Sequence, residues 1–170
     1  MTSSKELIDA VSHQEYDRVA KLIKEGANAN SFEFSFDETR NINKEMSLLH
    51  IACKLKDLKM VTLLLSLGAE VDSIDERGLT PLYYAIKKES IEICKYLIEA
   101  GANFEHKDSQ LRTPLYFASN LRLYDIIDYL LDKGADINAG TRLGRTALIK
   151  ACWNGQYETT KYLLKCPKVI

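Results

Sequence analysis

The sequence predicts an all-α solenoid of stacked helix pairs, and two repeated phrases are the observations that predict it. The first phrase, Ser or Thr followed two residues later by Leu, begins at residues 47, 80, 113 and 146, a step of 33 residues each time. The second phrase, Gly-Ala and a polar residue, begins at residues 26, 68, 101 and 134. A fixed period of this length is typical of stacked repeats, in which each unit covers its neighbour's apolar face.

The segment Asp75–Ser109 shows which elements one period contains. Gly78 favours a turn, and Thr80-Pro81 favours the start of a helix, because a threonine hydroxyl caps free N–H groups and proline suits the first helical position. A second helix is predicted over residues 91–100, with Gly101 as its C-terminal cap. Small residues recur once per period where helices are expected to approach closely, at Ala52, Ala85, Ala118 and Ala151.

These phrases, T-P-L-Y-x-A at residues 80–85 and G-A-D-I-N at residues 134–138, resemble the ankyrin repeat, whose consensus phrase is T-P-L-H-x-A. The resemblance covers nearly the whole chain. It implies an all-α ankyrin-repeat solenoid of five stacked helix pairs with β-hairpin fingers along one edge. The expected organisation is a single domain over residues 1–170, with units at about 4–30, 44–73, 77–106, 110–139 and 143–166 and an insert at 31–43.

The chain departs from the family phrase at particular positions. Histidine occupies the family position only at His50, and Tyr83, Tyr116 and Ile149 replace it. The Thr–His hydrogen bonds of the family are therefore not expected in those three units. Two finger positions that hold glycine in the other units hold larger residues, which predicts different turns or some strain there. These residues are Glu45 and Leu111.

The first unit and the insert are the next irregular features. Residues 7–11 and 19–23 predict the two helices of a first unit that lacks its own finger and has polar outer positions, as a terminal cap does. In residues 31–43, Phe32, Phe34 and Phe36 alternate with polar residues, which favours an extended strand. This strand is either a binding edge or a longer finger whose phenylalanines fold back onto the first two units.

The last unit is irregular as well. Pro167 stands where the other units have glycine, and apolar residues including Tyr157, Leu163 and Val169 lie in or beside the final helix. They indicate either an imperfect cap or further repeats beyond Ile170. Tyr96, Tyr129 and Tyr162 share one phase of the second helices and favour packing between those helices.

No motif for catalysis or for a cofactor is evident. The histidines fall at different phases of the period, there is no glycine-rich phosphate loop, and no metal-binding motif occurs. The four cysteines have no paired short spacing, so we expect reduced, buried thiols. We expect neither a bound metal nor a cofactor. The net charge of -1 does not favour membrane or nucleic acid as a partner, and the absence of a signal or membrane segment favours a cytoplasmic location, with secretion by a signal-independent route left open. A monomer is expected.

The resemblance implies protein binding through a surface made of the finger tips and the exposed side of each first helix, which we call the concave face. Of the 24 positions that map to it, nine are basic and one is acidic, so this set carries +8 in a chain whose net charge is -1. Such polarity would steer an acidic partner to the concave face. The basic residues are Lys44, Lys54, Arg77, Lys87, Lys88, Lys107, Arg112, Arg142 and Arg145.

The sequence thus predicts a non-catalytic module that binds an acidic, partly apolar protein segment. The expected contact residues are Arg77, Lys87, Arg112, Leu121, Arg142, Arg145 and Trp153. Trp153 is expected to be exposed because its counterparts Lys54, Lys87 and Asn120 are polar. Three alternatives stay open: solvated basic fingers without a partner, binding of a phosphorylated small molecule or nucleic acid on the same face with Trp153 stacking on a base, and a structural spacer in a longer protein.

Overall fold

The computed structural model describes residues 4–37 and 42–166, and within them ten short helices form five antiparallel pairs. This arrangement confirms the all-α repeat fold. The helices are α1 (Ser4–Ser12), α2 (Tyr16–Lys24), α3 (Leu48–Lys54), α4 (Leu58–Ser66), α5 (Pro81–Lys87), α6 (Ile91–Glu99), α7 (Pro114–Asn120), α8 (Tyr124–Asp132), α9 (Ala147–Trp153) and α10 (Tyr157–Leu164). The strands are β1 (Phe32–Asp37) and β2 (Ile42–Ser47).

Side-chain hydroxyls cap three of the first helices, as the repeated phrase predicts. The hydroxyls of Thr113 and Thr146 each accept from the backbone N–H three residues later, at 3.3 Å, and Ser47 does the same at 3.4 Å. Thr80 is different: its buried hydroxyl has no hydrogen-bond partner in the described residues. The Ser47 hydroxyl also bonds the ring nitrogen of His50, whereas Tyr83, at the histidine position after Thr80, offers no such nitrogen.

The helices stack in two layers, which is how each unit buries the face that it cannot bury alone. The first helices α1, α3, α5, α7 and α9 each pack on the next, and the second helices α2, α4, α6 and α8 do the same behind them. The repeated alanines of α3, α5, α7 and α9 are all buried, where the predicted close approach of the helices places them. A single apolar core therefore runs through all five pairs.

The fingers are tight turns joined to one another by single backbone hydrogen bonds. Each of the three regular fingers is closed by one bond, for example from Asp75 N–H to Leu79 O at 3.0 Å. Neighbouring fingers are connected by Ser109 N–H to Arg77 O at 3.0 Å, and by an equivalent bond one unit later. Leu111 occupies a glycine position with φ 60°, so the strain expected there is present.

The insert forms the longest finger. β1 pairs antiparallel with β2, with Phe32 opposite Ser47 and Asp37 opposite Ile42, which confirms the predicted strand. Glu45 consequently lies in an extended strand instead of a left-handed turn. The side chains of Phe34 and Phe36 lie outside the described part of the structure, as do Asn41, Pro167 and Val169.

The expectation of four buried thiols is right for Cys53 and Cys94 and wrong for Cys152, which is exposed, while Cys166 is half-buried. Burial raises the pKa of the Cys94 thiol to about 12, so it stays protonated and unreactive at neutral pH. Cys152 is the counterpart of Cys53 in the last helix pair. In the described residues no further pair covers it.

Candidate functional site

An aromatic side chain from a first helix supports the base of the next finger. In α3, Nε2 of His50 donates to the carbonyl of Leu79 at 2.9 Å. In α5, the hydroxyl of Tyr83 donates to the carbonyl of His106 at 2.6 Å and also contacts the carbonyl of Arg112, which lies 33 residues after Leu79. Tyr83 therefore keeps the link to the next finger, although the Thr–His bond of the family is absent at Thr80.

Tyr116 occupies the same position one unit later but points elsewhere. It is half-buried, and its hydroxyl has no hydrogen-bond partner among residues 4–37 and 42–166. Burial raises the pKa of Tyr116, while the positive charges of Arg112 and Arg145 lower it. The phenol therefore lies near the guanidinium groups of Arg112 and Arg145, and its hydroxyl can donate to a ligand.

Tyr116 is one wall of a groove between the fourth and fifth units that we call the arginine groove. It encloses about 660 Å³ and is open to solvent on one side. Four of its lining residues are basic and none is acidic, so its electrostatic potential is positive. The lining residues are Ser109, Gln110, Arg112, Tyr116, Phe117, Asn120, Thr141, Arg142, Leu143, Arg145 and Lys150.

Arg112 is held in place by contacts within its own finger. Its Nε and Nη2 atoms lie 2.7 and 2.5 Å from Oδ2 of Asp108, whose side chain is fully buried. Its guanidinium carbon also lies 4.5 Å from the centre of the Phe117 ring. Because Asp108 already neutralises it, Arg112 shapes the wall of the groove more than it adds free charge.

The other cations in the arginine groove have no acidic partner in the described chain. Arg142 donates from Nη2 to the carbonyl of Ser109 at 3.1 Å, and Lys150 donates to the side chain of Asn154 at 3.0 Å. The guanidinium carbon of Arg145 lies 4.1 Å from the centre of the Trp153 ring. Stacking of this kind orients a guanidinium and leaves its N–H groups available at the edge.

Comparison with known proteins identifies the repeat. The family model described as ankyrin repeats in three copies matches residues 7–108, 49–141 and 104–169. The chain belongs to the ankyrin repeat family. The described residues contain no helix long and apolar enough to cross a membrane and no cluster of His, Cys, Asp and Glu side chains that could hold a metal ion.

A curated protein also shares part of the ankyrin repeats. The ADP-ribosylation factor GTPase-activating protein AGD1 of Arabidopsis thaliana is 46% identical over 48 residues. The match covers 28% of this chain and 5% of that protein. Because the shared part is so small, the similarity carries no activity across.

The structure brings together four of the seven predicted contact residues of the ankyrin solenoid. Arg112, Arg142 and Arg145 line the arginine groove, and Trp153, 68% exposed, stacks at its edge. Three others do not line the groove: Arg77, which pairs with Glu76 at 3.5 Å, the exposed Lys87, and Leu121, which caps the C-terminus of α7.

Sequence reasoning missed Tyr116 and Lys150 as residues of this groove. The sequence shows that Tyr116 replaces the ankyrin histidine. It does not show whether the Tyr116 hydroxyl reaches the next finger, as the Tyr83 hydroxyl does. Lys150 lies at the phase of Phe117 in the preceding unit, a position with no binding signal in the repeat.

Proposed function

We propose that this ankyrin-repeat chain is a non-catalytic module that binds an acidic, partly apolar protein segment on its concave face. The observation that supports this most is the arginine groove of about 660 Å³, where Arg142, Arg145 and Lys150 have no acidic partner in the described residues. A carboxylate-bearing segment entering this groove would gain charge-assisted hydrogen bonds and would be drawn to it over a distance. We treat residues 1–170 as one binding domain, since contacts run from each first helix to the next.

Exposed apolar side chains beside the charges complete the proposed surface. Trp153 and Leu143 are 68% and 73% exposed, and Leu121 is 38% exposed. Tryptophan and arginine are the residue types most often found as interface anchors. The partner segment would therefore place an apolar residue against Trp153 and its acidic residues toward Arg142 and Arg145, with Arg77 and Lys87 acting at longer range.

The test compares capture from cell lysate by three proteins. The wild type is compared with the double variant Arg142→Glu and Arg145→Glu, and with Lys161→Glu and Lys165→Glu, which make the same charge change on exposed residues of the same unit outside the groove. Arg112 is left unchanged because replacing it would strand the buried carboxylate of Asp108. Thermal unfolding of all three establishes that each is folded.

The lysate is first treated with nuclease to remove binding through nucleic acid. We then expect some proteins to be captured by the wild type and by the lysine control but not by the arginine double variant, which we call the groove variant. For such a purified protein, the groove variant should bind at least about tenfold more weakly, and raising the salt concentration should weaken wild-type binding. If both double variants retain the same proteins with the same salt dependence as the wild type, the concave face is the wrong surface.

A further inference from the structure

We propose that the arginine groove receives a single anionic side-chain group of the partner, a carboxylate or a phosphate, bound by the hydroxyl of Tyr116 and the guanidinium groups of Arg142 and Arg145. This inference rests on the proposed function, which it narrows to one subsite and one kind of ligand group. Between the third and fourth units, the equivalent positions Tyr83, Ser109 and Arg112 do not offer the same set of donors.

The preceding units use the same positions for internal bonds. Tyr83 is buried with its hydroxyl on finger carbonyls, and the hydroxyl of the next residue, Tyr84, donates to Oδ2 of Asp75 at 2.8 Å. The counterparts of Arg142 and Arg145 are Ser109 and Arg112, and Arg112 is paired with the buried carboxylate of Asp108 at 2.5 Å. Between the third and fourth units, therefore, both tyrosine hydroxyls are used within the protein and the arginine is paired.

Between the fourth and fifth units the tyrosine hydroxyl is unused, and Arg142, at the position of Ser109, donates to a carbonyl and is not paired with a carboxylate in the described residues. The residue after Tyr116 is Phe117, which has no hydroxyl, and the Tyr116 hydroxyl itself has no partner in the described residues. The position of Arg112 is held by Arg145, which stacks on Trp153 and has no acidic partner among the described residues. The Tyr116 hydroxyl is accessible to solvent, so a ligand that accepts its proton can reach it.

The arrangement of donors suits an anion better than a neutral group. A hydroxyl and two guanidinium groups together can donate several hydrogen bonds to the oxygens of one carboxylate or phosphate. Arg145 is oriented in advance by its stacking on Trp153, at 4.1 Å, which reduces the ordering cost of binding. The size of the groove, about 660 Å³, admits a side chain and part of its backbone.

Trp153 makes a direct test possible because it is the single tryptophan of the chain. The full chain is titrated with inorganic phosphate, with the amide of N-acetyl-phosphoserine and with the amide of N-acetyl-glutamate, at an ionic strength held constant with chloride. Trp153 fluorescence and the NMR signal of its indole N–H are followed, since an anion that engages Arg145 alters the stacked pair. We expect a saturable change with at least one of these probes.

Two variants locate the response and one serves as control. Tyr116→Phe removes only the free hydroxyl, and Arg142→Gln removes one charge; we expect them to weaken anion binding by about fivefold and tenfold. Tyr157→Phe makes the same chemical change on a side chain that is 71% exposed and outside the groove, and it should leave binding unchanged. Preference for the phosphoserine or the glutamate probe decides between the two anions.

The subsite is overturned if no probe gives more than the chloride response, or if both groove variants respond like Tyr157→Phe. In that case the capture experiment still tests the proposed function. If the concave face binds the partner by charge alone, the double variant Arg142→Glu and Arg145→Glu still loses the partner. If the groove variants keep both partner binding and anion binding, the subsite and the proposed function are both wrong.

Discussion

At the scale of single residues, the protonation state of His50 is fixed by its hydrogen bonds. Its Nδ1 accepts from the backbone N–H of Ser47 at 3.2 Å, so the proton of the neutral ring lies on Nε2, which donates to the carbonyl of Leu79 at 2.9 Å. The side chain is fully buried. Burial lowers the pKa of His50, and the carbonyl of Leu79 opposes this only in part.

The native state should therefore lose stability as the pH falls. Since the pKa of His50 is lower in the folded chain than in the unfolded chain, the unfolded state binds more protons, and His50 contributes stability above about pH 6.5 that is lost below it. We expect His50→Gln to be less stable than wild type at pH 7.5, with a smaller difference at pH 5.5. Urea unfolding at both pH values measures this.

The remaining histidines do not confuse that comparison, because His13 and His106 are present in both proteins and their contributions cancel. Parallel stability-against-pH curves for wild type and His50→Gln would show that the pKa of His50 is the same in the folded and unfolded chains, and the expected lowering of this pKa by burial would be wrong.

At the scale of elements, the fingers show how one turn depends on its neighbour. Gly78 and Gly144 hold the same finger position with φ 72° and 68°. A Cβ at Gly78 would lie 3.2 Å from the backbone nitrogen of Ser109, which donates to Arg77 across the two fingers, whereas a Cβ at Gly144 meets nothing within 4 Å. The two glycines thus share a backbone requirement but not a steric one.

We expect Gly144→Ala to cost about 1 kcal/mol in the free energy of unfolding, which is the penalty for a side chain in the left-handed conformation. Gly78→Ala should cost about 1 kcal/mol more, because its Cβ also pushes the neighbouring finger away. Chemical denaturation of the two variants provides the measurement. Equal losses would mean that the contact between fingers yields freely and that only the backbone conformation matters.

The elements were largely predictable from the sequence, whereas their connections were not. The 33-residue period places every first and second helix of the last four units, because periodic apolar positions and caps are local signals. The strained turn at Leu111, with φ 60°, was predicted as well, because glycine holds this position in two other units. The unpaired hydroxyl of Tyr116 shows the limit, since packing between units decides it and the local phrase carries no signal for it.

At the scale of the whole molecule, both end pairs are hydrogen-bonded to the neighbouring unit, but they differ in how well their apolar side chains are covered. The last pair is bonded to the fourth unit by Gln156, whose Nε2 donates to the carbonyl of Asn120 at 3.0 Å, and by the Tyr162 hydroxyl, which donates to Asp128. The first pair is fastened to the second unit by Asp57, whose Oδ2 accepts from Gln14 at 2.8 Å and from the hydroxyl of Tyr16 at 2.9 Å. In the last pair, Ile149 and Tyr157 are 45% and 71% exposed. The counterparts of Ile149 at His50 and Tyr83 are fully or almost fully buried, so the last pair has lost the packing on one side.

Unfolding of the 170-residue chain should consequently begin at α9 and α10. In a stacked array each pair is stabilised by its interfaces, so a pair with one interface and exposed apolar side chains opens at lower free energy than an internal pair. We expect backbone amides of α9 and α10 to exchange with solvent at least about tenfold faster than those of α5 and α6, a difference of about 1.4 kcal/mol in opening free energy. Hydrogen exchange followed by mass spectrometry measures each helix.

The first pair supplies the control, because it also stands at an end of the 170-residue chain but has no large apolar side chain exposed among its described residues and is bonded to Asp57. Its amides should exchange more slowly than those of α9 and α10, and the double variant Gln14→Ala and Tyr16→Phe should remove this protection in α1 and α2 alone, because it removes both donors to Asp57. If the wild-type ends exchange equally fast, position in the stack alone sets local stability, and the hydrogen bonds to Asp57 contribute nothing to holding the first pair.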